Sequence, residues 1–147
     1  IGMGAQAAVV EFARNVCKLP NADSAEFDPK TKTPVVNAVN KDVTFRNGAH
    51  DCTILPGTKL AAAYRIGETT ERYRHKYAVN KAYTEILTRG GMVFSGRCLS
   101  EEQADAFELP THRFYIGVMF RPEFTSRPFR PHPLISAFVQ ECKKSNT

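Results

Sequence analysis

The sequence has no C-x-x-C pair, and its four cysteines, Cys17, Cys52, Cys98 and Cys142, lie far apart. That spacing excludes a compact disulfide framework and a zinc-ribbon set, and predicts buried or isolated thiols in a reducing, intracellular compartment. His50 and Cys52 are the only close His/Cys pair, and with no second pair nearby they imply no metal. No apolar run approaches the roughly 20 residues of a membrane span, and no basic, apolar, small-residue signal peptide opens the chain, so no membrane insertion is expected. Repeats, low-complexity tracts and interdomain linkers are absent. Charge is only mildly unbalanced: twenty Lys and Arg against fifteen Asp and Glu leave +5, which permits an acidic partner such as RNA without specifying one.

What is present is enough for one core. The 147 residues are 42% hydrophobic, with ten Phe and five Tyr, and this is the content of one folded domain. Gln6 to Lys18 carries the period of a mostly buried helix, entered from a Gly-Met-Gly turn. Thr33 to Val39 reads as a strand, Asn47-Gly48 as a turn, and Lys59 to Arg65 as one or two helical turns. Thr69 to Val79 alternates with period two as one strand, and Lys81 to Thr88 as a helix closed by Gly90-Gly91. Met92 to Cys98, Ala104 to Leu109 and Phe114 to Phe120 are three further strands. Pro133 to Lys144 closes the chain as an amphipathic helix, with Leu134, Ile135, Phe138, Val139 and Cys142 facing inward. Strands mixed with helices in this order define an α/β chain.

Three segments could carry chemistry. Gly2-Met3-Gly4-Ala5-Gln6 has the shape of a nucleophile elbow, but Gly2 stands where the nucleophile should. The same turn could bind phosphate, but one G-x-G is a weak signal and plain steric packing explains it better. Glu71 to Tyr77 puts Arg72, Arg74 and Lys76 on one strand face and Tyr73, His75 and Tyr77 on the other. One reading has phosphates on the basic face and bases stacked on the aromatic face; the simpler one makes the aromatic face core. Arg121, Glu123 and Arg127 read as a surface ion-pair cluster of little energetic weight.

Taken together, several segments resemble the glutaminase domain of the CTP synthase family, a class I glutamine amidotransferase. They are Gly4-x-Gln6, Glu11 to Asn15, Asn21 to Phe27, Pro34 to Val36, Glu71 to Asn80 and Pro122 to Pro128. The resemblance implies a class I glutamine amidotransferase-like (flavodoxin-like) mixed sheet flanked by helices. Residues 1–147 would form that domain without its N-terminal half. It also implies a cytoplasmic location, with an organelle matrix as the alternative, and no cofactor.

In that family a Cys-His-Glu triad hydrolyses glutamine and the ammonia passes to a synthase domain. By the resemblance, the triad positions here are Gly2, Arg121 and Glu123. A glycine has no side chain to attack a carboxamide, and arginine only donates hydrogen bonds, so it cannot take the nucleophile's proton. Gln6 and Glu26 match glutamine-binding positions, and Lys76 stands where the family has an arginine, losing the bidentate grip on a carboxylate. The expectation is a degenerate domain, inactive as a glutaminase and kept as a structural or binding part of a larger assembly. The alternatives are a portion of a working CTP synthase and a scaffold on RNA. Another polypeptide, or a segment preceding Ile1, would complete the sheet against Val9, Val10, Ala13 and Val16.

Overall fold

A computed structural model describes residues 1–39, 45–98 and 103–144. Helix α1 (Met3–Asn15) starts directly at the Gly2 turn, three residues earlier than its hydrophobic period suggests, and Lys18 lies beyond its end with φ 58°. Strands β1 (Ala22–Ser24) and β2 (Thr33–Ala38) run parallel, and β5 (Tyr77–Val79) adds antiparallel to β2, making a three-stranded sheet. A five-stranded antiparallel sheet has the order β4-β3-β6-β7-β8, with β3 Arg46–Ile54, β4 Glu68–His75, β6 Val93–Cys98, β7 Ala104–Glu108 and β8 Ile116–Val118. Helices α2 (Lys59–Tyr64), α3 (Thr84–Arg89) and α4 (Pro133–Lys143) complete the α/β arrangement.

The period-two stretch around Glu71 is not one strand. It breaks at Lys76, so β4 belongs to the larger sheet and β5 to the smaller, and one continuous ribbon joins the two. Asn47-Gly48 is not a turn either. Both residues sit inside β3, opposite Arg74 and Tyr73, and Gly48 keeps its positive φ of 90° within an eight-pair ladder. Cross-strand pairing over that length outweighs local turn chemistry. The strand expected over Phe114 to Phe120 narrows to Ile116–Val118, where Gly117 is required because a Cβ would collide with the Phe107 ring.

One apolar cluster joins α1 (Val9, Val10, Phe12, Ala13) to Val35, Val36, Val79, Leu87, Met92 and Phe107. Val9, Val10 and Ala13 are therefore covered by the chain itself, and only Val16, at 47% exposure, remains of the face expected to meet a partner. A second cluster packs Leu60, Tyr64, Tyr73, Val118 and Phe120 against Leu134. Of the five residues expected to face inward from α4, Leu134 alone is buried. Phe138 and Val139 are half exposed, Cys142 is exposed, and Phe138 instead lies against the ring of Phe114 at 5.6 Å. Strand β7 is buried along its whole length, including the acids Asp105 and Glu108. Glu108 accepts the backbone N–H groups of Lys59 (2.9 Å) and Leu60 (3.1 Å), and so caps α2 from a neighbouring strand.

Candidate functional site

The site is built where β8 meets the start of α1. The Gly2 N–H donates to the Val118 carbonyl (2.8 Å), and the Gly2 carbonyl accepts from Gln6 N–H (3.1 Å) to open the helix. Between these two bonds Gly2 adopts φ 55°, ψ −118°, a conformation that side-chain-bearing residues rarely hold. The turn thus keeps the strained geometry of an elbow although its residue needs no strain.

After β8 the chain passes through buried Met119 and Phe120 to Arg121, whose N–H donates to the Arg72 carbonyl of β4 (2.8 Å). This bond turns the Arg121 side chain back over the elbow. Its guanidinium carbon lies 3.2 Å from the point a Cβ on Gly2 would occupy, with the two terminal nitrogens at 3.4 and 3.5 Å. Nη1 also donates to Glu123 Oε1 at 3.3 Å, a long contact between half-exposed groups, while Nε is buried without a partner. Gly2, Arg121 and Glu123, remote in sequence, therefore converge, and the cation fills the space in front of the glycine.

Gln6, 2% exposed, sits one helical turn beyond the elbow. Its amide nitrogen donates to Glu26 Oε2 (2.5 Å) and its amide oxygen accepts from the Ser24 hydroxyl (2.7 Å). The Ser24 oxygen in turn accepts the Glu26 N–H (3.1 Å). Gln6 and Glu26 are brought together, and Ser24, which sequence reasoning passed over, locks them. Lys76 does not join them: it is exposed at the corner between the two sheets, and among the described residues no hydrogen bond or ion pair ties it to Gln6 or Glu26.

Beneath β4 lie two buried polar clusters that sequence reasoning also missed. Arg46 holds Asp105 in a two-pronged pair (2.6 and 3.1 Å), Tyr73 donates to the same carboxylate (2.9 Å), and the guanidinium lies 3.9 Å above the Tyr73 ring. Burial alone would lower the pKa of Arg46, but the hydrogen bonds and charge of Asp105 outweigh it and hold the guanidinium above its usual value. Further along, Tyr64 donates to Glu71 (2.6 Å), and the His132 ring lies 3.1 Å from the same oxygen. His132 Nδ1 accepts the Leu134 N–H, which leaves Nε2 to donate to Glu71. The period of β4 did place Tyr73 and His75 inward, and Glu71 shares their parity. With Tyr73 at 1% and His75 at 7% exposure, neither ring is available to stack a base.

His75 gives the site a pH dependence. Burial, then the nearby charges of Arg46, Arg121 and His50, push its pKa down from 6.5 to about 3. The unfolded chain therefore binds this proton more readily than the folded one between those limits. Stability should fall as pH drops from 6.5 toward 3, by about 2 kcal/mol at pH 5 from this residue. Urea melts of the wild type and His75→Gln between pH 7 and pH 5 check this: the variant should show a shallower loss, and parallel curves would refute the assignment.

The chain matches the class-I glutamine amidotransferase family over residues 1–141, and it belongs to that family. Within the family it is similar to CTP synthases. It is 46% identical to the CTP synthase of Rubrobacter xylanophilus, covering 95% of this chain and 26% of that one. It is 43% identical to that of Chlamydia trachomatis, with 97% and 28% covered. Among solved structures it superimposes on the glutaminase domain of Trypanosoma brucei CTPS with bound acivicin, with a TM-score of 0.87 and 33% identity, covering 97% of this chain and 58% of that one. The chain thus spans about a quarter of the length of the curated relatives it matches. No helix among the described residues is long and apolar enough to cross a membrane.

Proposed function

We propose that residues 1–147 are the C-terminal half of a glutaminase-type domain in a larger, CTP synthase-like polypeptide, and that this domain does not hydrolyse glutamine. The observation that carries the reading is the Arg121 guanidinium, seated 3.2 Å from the point where the side chain of a nucleophile on the elbow would begin. A thiolate is missing from one position and a proton acceptor from the other, and the space between them is filled by a cation. Lys76, where the family has an arginine, offers a single ammonium in place of a two-pronged fork and weakens the remaining substrate grip. The rest of the domain would precede Ile1, consistent with the 58% share of the matched structure. A strand arriving from that side would lie along β8, whose Val118 carbonyl already accepts the Gly2 N–H.

Identity of 43–46% to CTP synthases supports an amination function for the whole polypeptide, fed by ammonia from solution, with this domain kept as a structural element. The experiment uses the full-length protein with ATP, UTP and either glutamine or ammonium chloride. CTP should form with ammonium and not with glutamine, and glutamine alone should release no ammonia. Glutamine-driven CTP formation at about one turnover per second would overturn the proposal. Failure with both donors would remove the amination reading and leave a purely structural domain.

A further inference from the structure

Strand β3 meets β6 through three residue pairs, Cys52 with Cys98, Thr53 with Arg97 and Ile54 with Gly96. This short seam joins the β3–β4 hairpin to β6, β7 and β8. Just beyond it the Leu55 N–H donates to the Ser95 carbonyl, which makes that position a hydrogen-bonded pair. Alternation then makes Ile54/Gly96 a non-hydrogen-bonded pair, Thr53/Arg97 a bonded one, and Cys52/Cys98 non-hydrogen-bonded again. Two further bonds agree: the Ile54 N–H is directed away to Gly67, and the Cys98 N–H away to Gln103.

In such a pair the Cα atoms approach to about 4.5 Å and the side chains lie on the same face of the sheet, at the near end of the span a disulfide bridges. Both cysteines are thiols here and both are buried, at 0% and 1% exposure. Gly96 leaves the space open beside them, since a Cβ there would stand only 3.4 Å from Cys52 Sγ. Cys98 is the last residue of β6, so opening of the strand end exposes it first.

We infer that Cys52 and Cys98 are a redox modification site, closing a cross-strand disulfide that staples the β3–β4 hairpin to the rest of the sheet. The oxidant is a small disulfide such as oxidised glutathione. The Cys98 thiolate attacks one of its sulfurs and expels one glutathione thiolate, forming a mixed disulfide. The Cys52 thiolate then attacks Cys98 Sγ and expels the second glutathione. The protein loses two protons and two electrons; the electrons reduce the glutathione disulfide and the two glutathione thiolates take up the protons. Burial and the neighbouring Asp105 carboxylate push the Cys52 thiol up to about 12, so closure should be slow at neutral pH and faster as pH rises. The staple would fix the hairpin whose Arg72 carbonyl holds the Arg121 N–H over the elbow.

The test incubates the protein with oxidised glutathione, alkylates the remaining thiols and maps peptides by mass. The expected product is a Cys52–Cys98 cross-linked peptide lighter by two hydrogens, with Cys142 glutathionylated or alkylated independently. Its melting temperature should rise by several degrees and return on reduction. Cys52→Ser and Cys98→Ser should each abolish the cross-link. The wild-type map decides the matter even if those variants fold poorly. Cys52 and Cys98 both recovered as alkylated thiols after Cys142 has fully reacted would overturn the inference.

Discussion

Gly2→Cys combined with Arg121→His should place a thiol and an imidazole where the resemblance puts a triad, and still leave glutamine turnover below detection. Glutaminase chemistry needs the triad as a unit, and the loss of one such member costs on the order of 10⁴–10⁶ in rate. The elbow geometry at φ 55°, ψ −118° would present a thiol at the start of α1, and a histidine on the Arg72-anchored backbone would stand near it. One deficit remains: lysine at position 76 lacks the two-pronged grip on a carboxylate that the family's arginine would give. Gly2→Cys alone should cost about 1–3 kcal/mol, because a non-glycine residue must hold the positive φ and displace a guanidinium now 3.2 Å from its Cβ. Urea denaturation reads the stability change and an ammonia-release assay reads the activity. Turnover by the double variant would show that the glutamine site is otherwise intact.

A second large effect is expected at Asp105. Asp105→Ala removes the carboxylate that holds Arg46 at two points, with the Arg46 side chain 1% exposed, and the acceptor of the Tyr73 hydroxyl. Breaking a buried ion pair by removing one partner costs about 3–5 kcal/mol, a large part of the roughly 5–15 kcal/mol that holds a domain folded. The variant should be mostly unfolded near 37 °C or accumulate as insoluble protein. Replacing both partners, Arg46→Met with Asp105→Leu, should recover most of the loss, because the charge and its acceptor leave together. A fall of less than about 1 kcal/mol for Asp105→Ala in thermal melts would contradict the buried pairing.

Much of the secondary structure was legible because it follows local periodicity. The α1 and α4 patterns, the β6 and β7 runs, and the inward parity of Tyr73 and His75 come from side chains spaced by the chain's own geometry. The errors fall where a partner distant in sequence decides the outcome. Asn47-Gly48 carries turn chemistry but is paired across to Arg74 and Tyr73. Lys76 reads as one more strand residue and is instead the corner between two sheets. Phe138 and Val139 follow an amphipathic period, yet the core beneath α4 is filled by Leu134, Tyr64 and Phe120 before they reach it.

The sequence by itself determined the family, through motifs in matching order, and it fixed the side chains at the positions where the resemblance would put a triad: none at Gly2, a guanidinium at Arg121 and a carboxylate at Glu123. Residue identity needs no coordinates. Only the tertiary structure decided that the arginine lies over the glycine. That placement depends on the Gly2–Val118 and Arg121–Arg72 backbone bonds between segments remote in sequence. Likewise Glu26, Ser24 and Gln6 form one hydrogen-bonded set, and Arg46 meets Asp105, because strand order and register bring them within about 3 Å. Hydrogen bonds act over that range alone, so their partners are fixed by the packed fold.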